Sequence, residues 1–393
     1  MKILVASVKM TPQTIARQPW FYIHSIAEAL SKKGNDVWML TDTIADWPEH
    51  AKIIFLENFR TFPRGIDFRL EDLLRKEGFD LLIWSTGLTD FIFQRKVNIL
   101  KIPIFAVVTS PRYYFTELLR NCKALSLNNK FTRQFLLGPL ISKTRIEEFF
   151  KLPNLKAVIF ESKGTLNRYT HNNPDVNKAF VIPPPIPENF LYILKLFKEK
   201  KENQEDKYFN RILYYGSPIS VRGIDTLIEA MPLVMKKLDT VKLKVLSRIE
   251  YPSLLKHEHR LRKLVEKRGI GSHVNIISAL LTPSQIIQHL LSCRVVCLPF
   301  KLVISDVPIT VLETLATGTP LITSDISGVS EFANKGSYSL IPPGDHRALA
   351  EAIVNIIKSN AGRIIESKTK RFLNNHTQEK FALSFDSILR KTL

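Results

Sequence analysis

Residues 294–325 read RVVCLPFKLVISDVPITVLETLATGTPLITSD. An apolar run at 294–300, apolar residues at helical spacing over 309–317 and a second apolar run at 320–325 predict strand, helix and strand. Gly318 stands where the helix needs a residue tolerant of left-handed backbone, so it reads as the stop between helix and strand. Two acidic groups, Asp306 and Glu313, flank the helix start. A strand-helix-strand unit of this length is the building block of an α/β sheet.

The same alternation continues in both directions. Upstream lie strand ILYYGS at 212–217, helix 223–237, strand VKLKVLS at 241–247, helix 254–268, strand VNIISA at 274–279 and helix 283–292. Downstream, SYSLIP at 337–342 is a strand, PGDHRALAEAIVNII enters another helix, and 365–391 holds one or two terminal helices. Nearer the start, KILVASV is a buried strand, WFYIHSIAEALS at 20–31 a helix and KKGNDVWMLT the next strand. Short apolar strands follow at 79–86, 102–110, 154–162 and 178–186, until Pro183, Pro184 and Pro185 end the last one by removing ladder N–H groups. The charged stretch KLFKEKKENQEDKYFNR at 195–211 has few apolar anchors and reads as an exposed connector. The expected organisation is an N-terminal domain at 1–194, a linker at 195–211, a C-terminal domain at 212–364 and a helical segment at 365–393 packing back toward the first domain. Both domains read as doubly wound and Rossmann-like, a class that binds ligands outside the C-terminal strand ends, here in a cleft between two sheets.

With 393 residues the chain can bury two cores. Its 56 Lys plus Arg against 37 Asp plus Glu give a net charge of +19, which calls for an anionic partner: nucleic acid, acidic lipid or a phosphorylated substrate. Cys122, Cys293 and Cys297 lack the paired spacing of a structural zinc site and fit a reducing compartment. The opening residues lack the roughly 7–15-residue apolar run of a signal peptide. Nothing reaches the roughly 18 apolar residues of a membrane span. A cytoplasmic protein, peripheral on the inner face of the membrane if attached at all, is the expectation. There is no Walker sequence, no G-x-G-x-x-G after the first strand, no H-E-x-x-H and no nucleic-acid module, so nucleic acid is not the expected partner.

Three segments in order, YYGSPISVRGIDTLIEAMP, DVPITVLETLATGTPLITSDISGVSE and IPPGDHRALAEAI, resemble the family 4 glycosyltransferases, retaining enzymes of the two-domain GT-B architecture. The resemblance covers about 212–357; the N-terminal half matches in strand-helix rhythm and in VIPPPIP. It implies a nucleotide-diphosphate sugar as donor, no cofactor and no required metal, and transfer of a hexose-type sugar to an acceptor hydroxyl. Glu313 matches the family's ribose-binding glutamate; a carboxylate can accept from both ribose hydroxyls, and the alternative is a solvated residue favoured by the helix dipole.

The family's second glutamate, beside the transferred sugar, falls on Ser305. Either Asp306 takes over sugar recognition, or Ser305 contacts it weakly while the N–H groups of Val307 and Ile309 do the holding, or Asp306 caps the helix beginning near Ile309. The family's phosphate-binding Arg and Lys fall on Ser217 and Arg222, so Arg222 keeps a cation in the glycine-containing turn and Ser217 does not. Arg248 is a candidate substitute, with an ordinary surface role as its alternative. Gly216 and Gly223 can admit phosphate close to the backbone or serve as turn residues; Gly328 and Glu331 match a GGVPE-like element or shape a loop. No residue stands out as a covalent nucleophile, so same-face, phosphate-assisted transfer is the implied mechanism.

From the N-terminal side, Thr109 and Ser110 can bind an acceptor hydroxyl and Arg112 a phosphate, or the turn caps the helix in YYFTELL. His24 is either packed or catalytic. Residues 112–150 interleave Arg and Lys with Phe, Tyr and Leu, the composition of an amphipathic surface on anionic lipid or of a core-facing helix with a basic exterior. A lipid-linked saccharide or glycolipid acceptor fits the first. Two further readings use the same scaffold: a non-catalytic nucleotide-sugar or polyanion-binding protein, and a nucleotide-sugar epimerase.

Overall fold

The computed structural model describes residues 1–61, 65–66, 68–92, 100–125, 130–171, 177–199, 210–333, 338–359 and 366–393. Strands β1 (Lys2–Ala6), β2 (Asp36–Thr41), β3 (Ile53–Phe55), β6 (Leu81–Thr86), β7 (Ile104–Val108), β8 (Leu155–Phe160) and β9 (Ala179–Val181) form one sheet in the order β3-β2-β1-β6-β7-β8-β9; β4 (Arg60–Thr61) and β5 (Gly65–Ile66) pair separately. All neighbours in the large sheet are parallel. Because side chains alternate across a strand, β1 sends Leu4 and Ala6 into one core and Ile3 and Val5 into another, and β7 divides Ala106 from Val107 in the same way. That two-sided burial explains why these strands read as continuous apolar runs.

The second sheet contains β10 (Arg211–Gly216), β11 (Lys242–Ser247), β12 (Val274–Ser278), β13 (Val295–Leu298), β14 (Leu321–Ser324) and β15 (Tyr338–Ile341), in the order β12-β11-β10-β13-β14-β15. Its neighbours are also parallel. The strand order reverses between β10 and β13, so the loops leaving these two strands diverge around a crevice. The sequence segment 294–325 supplies one side of it: β13, a loop, the helix Ile309–Thr317, then β14. Gly318 closes that helix at φ +76°, a conformation in which a side chain would be strained.

Two crossings join the domains. The first differs from the expected linker: the helix Glu188–Glu199 runs into it, and its Phe190 and Leu194 are buried in the C-terminal core. Two buried apolar side chains on one helical face outweigh its charged end, so the chain has already changed domain before residue 195. Residues 200–209 of the expected linker lie outside the described residues. The second crossing runs from the helix Glu366–Asn375 to the helix Gln378–Thr392, whose Phe381, Phe385, Ile388 and Leu389 pack on the N-terminal sheet with Tyr22 and Ile26. Each such burial contributes roughly 1.5–3 kcal/mol, enough to hold the terminal helix in place. The crossings also bind each other, Ile186 N–H donating to His376 O at 2.8 Å and His376 Nδ1 lying 2.9 Å from Pro184 O. Among the described residues no helix is long and apolar enough to cross a membrane.

Candidate active site

The crevice at the β10–β13 switch point is built from a glycine-bounded turn. β10 ends at Gly216, with φ +144°, where a Cβ would lie 3.1 Å from Arg222 Nη1. Seven residues later Gly223, at φ +78°, brings the chain so close to Pro299 that a Cβ would lie 1.6 Å from its carbonyl oxygen. Between them Val221 O accepts from Lys301 N–H and Leu302 N–H at 2.9 and 3.0 Å, and Tyr214 Oη donates to Ser217 O at 2.9 Å. The turn is therefore fastened to the loop after β13 before any ligand arrives.

Arg222, half-buried in this turn, has its guanidinium 5.9 Å from the Phe300 ring. Among the described residues no carboxylate or carbonyl is bonded to it. Burial lowers its pKa, and the like charge of Arg248 lowers it further. A guanidinium held under such stress, with Glu250 acting on it only from a distance, suits an anionic ligand.

Glu313 lies in the second turn of the helix Ile309–Thr317 and is half-buried. Tyr215 Oη donates to Thr310 O at 2.6 Å and lies 3.3 Å from Glu313 Oε2. Burial pushes the Glu313 carboxyl up to about 7, while Arg248 and the Tyr215 hydroxyl pull the other way. Thr310 in the same helix's first turn buries its Oγ1 without a hydrogen-bond partner among the described residues. Glu313, Arg222, Arg248 and Gly216 are thus brought together at the C-terminal ends of β10, β11 and β13.

Asp306 is elsewhere, and this corrects both of its sequence readings. It is fully buried in the seam between the domains. Oδ2 accepts from Ser162 Oγ and Oδ1 from Thr165 Oγ1, both at 2.6 Å, while its own N–H donates to Thr109 O at 2.8 Å. It does not cap the helix Ile309–Thr317, whose N-cap is Pro308. Ser162 is the N-cap of the helix Lys163–Thr170, and Glu331 Oε2 accepts from Lys163 N–H at 2.7 Å at that same end. Two carboxylates of the C-terminal domain therefore meet the N-terminus of one helix in the other domain, where the helix dipole favours negative charge. The approach needs small residues: a Cβ on Gly328 would lie 2.3 Å from Asp306 Oδ1, and one on Gly164 would lie 2.8 Å from Ser327 O.

Burial raises the Asp306 carboxyl to about 6, with Glu331 adding to the rise, against hydrogen bonds from Ser162, Thr165 and the Gly328 N–H. Glu161 beside it is also fully buried and raised, first by burial and then by Asp306. Its Oε2 accepts from Val307 N–H at 3.1 Å, so this N–H, expected to hold a sugar, serves the seam instead. Ser305 is buried at the edge of the seam, and Ile309 opens the Glu313 helix.

The N-terminal candidates are structural as well. Thr109 is buried and receives Asp306, and Ser110 Oγ accepts from Gln134 Nε2 at 2.8 Å. Neither caps the helix Phe115–Arg120, whose N-cap is Tyr114, with the Tyr114 N–H donating to Glu117 Oε2 at 2.8 Å. Arg112 is buried, and its guanidinium donates to the carbonyls of Gly138, Ile141 and Arg168. His24 lies 3.6 Å from Glu28 on its own helix.

Residues 196–378 match the family described as glycosyl transferases group 1. A phosphatidyl-myo-inositol mannosyltransferase of Mycobacterium leprae (strain TN) is 27% identical over 143 residues, which is 36% of this chain and 35% of that relative. The match thus spans about a third of the relative's length. The whole chain superimposes on solved structures at low identity. A sucrose-phosphate synthase from Thermosynechococcus elongatus gives a TM-score of 0.70 at 17% identity, covering 100% of this chain and 99% of the other. A glycosyltransferase from Rickettsia africae gives 0.68 at 14%, covering 100% and 98%. Anabaena HepE in complex with UDP gives 0.67 at 14%, covering 100% of both. Residues 196–378 are thus similar to the group 1 glycosyl transferases, and the chain has the two-sheet GT-B architecture of these solved structures.

Proposed function

We propose that this protein is a retaining glycosyltransferase that moves a hexose-type sugar from a nucleotide-diphosphate sugar to an acceptor hydroxyl on a lipid-linked saccharide or glycolipid. The observation that carries the donor assignment is Arg222, half-buried beside Arg248 with no carboxylate in direct ion-pair contact among the described residues, in the same crevice as Glu313. In this reading Glu313 accepts from the ribose hydroxyls, Arg222 and Arg248 neutralise the diphosphate, and the first turn of the helix Ile309–Thr317, with Thr310 Oγ1, lies toward the same anion. Sugar recognition falls to Ser305 and the N–H of Ile309, because Asp306 is committed to the seam.

Transfer needs no enzyme nucleophile. The bond between the anomeric carbon and the phosphate oxygen breaks, its electron pair staying on that oxygen. The acceptor hydroxyl attacks from the face the phosphate leaves, and its proton passes to a phosphate oxygen. The protein's share is to hold both reactants and stabilise the growing charge on the diphosphate, which the two arginines do.

The acceptor assignment rests on the surface of residues 112–150. Phe115, Leu119 and Leu140 are 64%, 54% and 68% exposed, with Arg120, Lys123 and Lys143 exposed among them. Apolar side chains interleaved with cations suit the inner face of an anionic membrane. The name of the mannosyltransferase relative, which specifies a phosphatidylinositol, supports a lipid acceptor.

The test is product analysis with GDP-mannose, UDP-glucose and UDP-GlcNAc, each with and without a lipid extract. One donor is expected to release nucleoside diphosphate only when lipid is present, and E313A to lose that release. Donor binding with no release under either condition would support the non-catalytic binding reading, which the missing cation at Ser217 favours. A changed sugar without lipid would support the epimerase.

A further inference from the structure

An ion chain crosses the mouth of the cleft. Arg17, in the loop between β1 and the helix Trp20–Lys32, donates from Nη1 to Glu250 Oε2 at 2.9 Å and to Tyr251 Oη at 3.2 Å. The other carboxylate oxygen of Glu250 lies 2.8 Å from Arg248 Nε. These partners are separated by 233 residues in sequence and belong to opposite domains. The Glu250 side chain is only 10% exposed. A buried carboxylate divided between two arginines is not a surface pair of negligible effect, since removing it leaves two enclosed charges facing each other.

Arg248 is the link to the donor pocket. Its backbone N–H donates to Gly216 O at 2.9 Å at the end of β10, and its charge lowers the pKa of Arg222 and offsets part of the burial-driven rise at Glu313. Left alone, a long flexible guanidinium beside another cation would swing away. Glu250 holds it as an ion pair at Nε, 2.8 Å away and without hydrogen-bond geometry, and the terminal amino groups are the end that can face an anion. Gln18, next to Arg17, buries both amide atoms without a hydrogen-bond partner among the described residues, so the loop carries further unspent polar capacity at this mouth.

We propose that Glu250 is a positioning residue that aims Arg248 at the donor diphosphate, and that Arg17 completes it from the opposite domain, so that Arg248 is held in place only when the cleft is closed. Closure and donor binding are then coupled through one carboxylate. The inference rests on the nucleotide-sugar reading of this crevice.

The test measures binding of UDP and GDP alone by calorimetry, together with KM and kcat for the donor that supports transfer. E250Q is expected to weaken nucleotide binding about tenfold, the scale of one misplaced charge-assisted contact, with kcat changed less than about threefold. R17Q should weaken binding in the same direction, and the double variant no more than the larger single effect. E250D should recover most of the loss. In an R248Q background E250Q should have no further effect, which a merely structural role for Glu250 would not produce. Multiplying effects of R17Q and E250Q, an undiminished E250Q effect without Arg248, or unaltered binding in E250Q would overturn the inference while leaving the donor site standing. If neither nucleotide binds the parent protein, the nucleotide-sugar reading falls and this inference with it. Thermal melting of every variant separates loss of fold from loss of aim.

Discussion

The seam around Asp306 and the pocket around Glu313 begin from the same ingredients. Each sets a carboxylate near the N-terminal turns of a helix, and the two residues stand seven positions apart. In the seam the protein supplies the donors itself: Asp306 takes the hydroxyls of Ser162 and Thr165, and Glu331 takes the N–H of Lys163. In the pocket the protein withholds them. Among the described residues Arg222 has no carboxylate in direct contact and Thr310 Oγ1 no hydrogen-bond partner, and Glu313 has a single hydroxyl at 3.3 Å. Satisfied polar groups hold domains together; unsatisfied ones at a crevice are what a polar ligand completes.

That contrast breaks most visibly under D306A, the largest effect expected. Three donors, Ser162 Oγ, Thr165 Oγ1 and Gly328 N–H, would lose their acceptor. A cost of about 3 kcal/mol follows, and a fall in Tm of roughly 6–12 °C by scanning fluorimetry. Nucleotide affinity should stay within about twofold. If D306A instead melts like the parent but loses nucleotide binding, Asp306 belongs to the pocket after all.

A subtler difference is expected in pH. Glu313 titrates near 7 because burial opposes its charge, and its ionised form is the one that accepts from both ribose hydroxyls. Nucleoside affinity should therefore rise as pH climbs through about 7, severalfold in all, and E313Q should flatten the profile. Stability runs the other way. A carboxyl whose folded pKa lies above its unfolded value contributes stability that is complete below about 4.5 and lost as pH rises through about 7. E313Q should remove that slope from the melting profile too. An unchanged binding profile in E313Q would take the ribose role away from this residue.

The alternation of apolar runs was enough to locate nearly every strand of both sheets, because strands buried on two faces leave a signal that survives without tertiary context. It failed at the helix Glu188–Glu199, where a lysine-rich end hides Phe190 and Leu194, and the domain change is set by what those two side chains pack against. At the site, Glu313 and Arg222 were expected from the resemblance of their segments to a known family, and the structure brings both to the β10–β13 crevice. Asp306 could not. Its partners Ser162 and Thr165 are 144 and 141 residues away, and Arg17 and Glu250 are 233 apart, so no local spacing carries these contacts. Tyr215 was legible as a strand residue and not as the hydroxyl against Glu313, since which residue of β10 faces that helix is settled only by packing.

The central claim is that the unpaired charge in the crevice is there for a nucleoside diphosphate. Equilibrium titration of UDP and GDP into the parent, R222Q and D306N tests it most directly. One nucleotide should bind the parent, R222Q should lose at least about tenfold in affinity, and D306N should bind as the parent does. Equal affinity in the parent and R222Q would contradict the account.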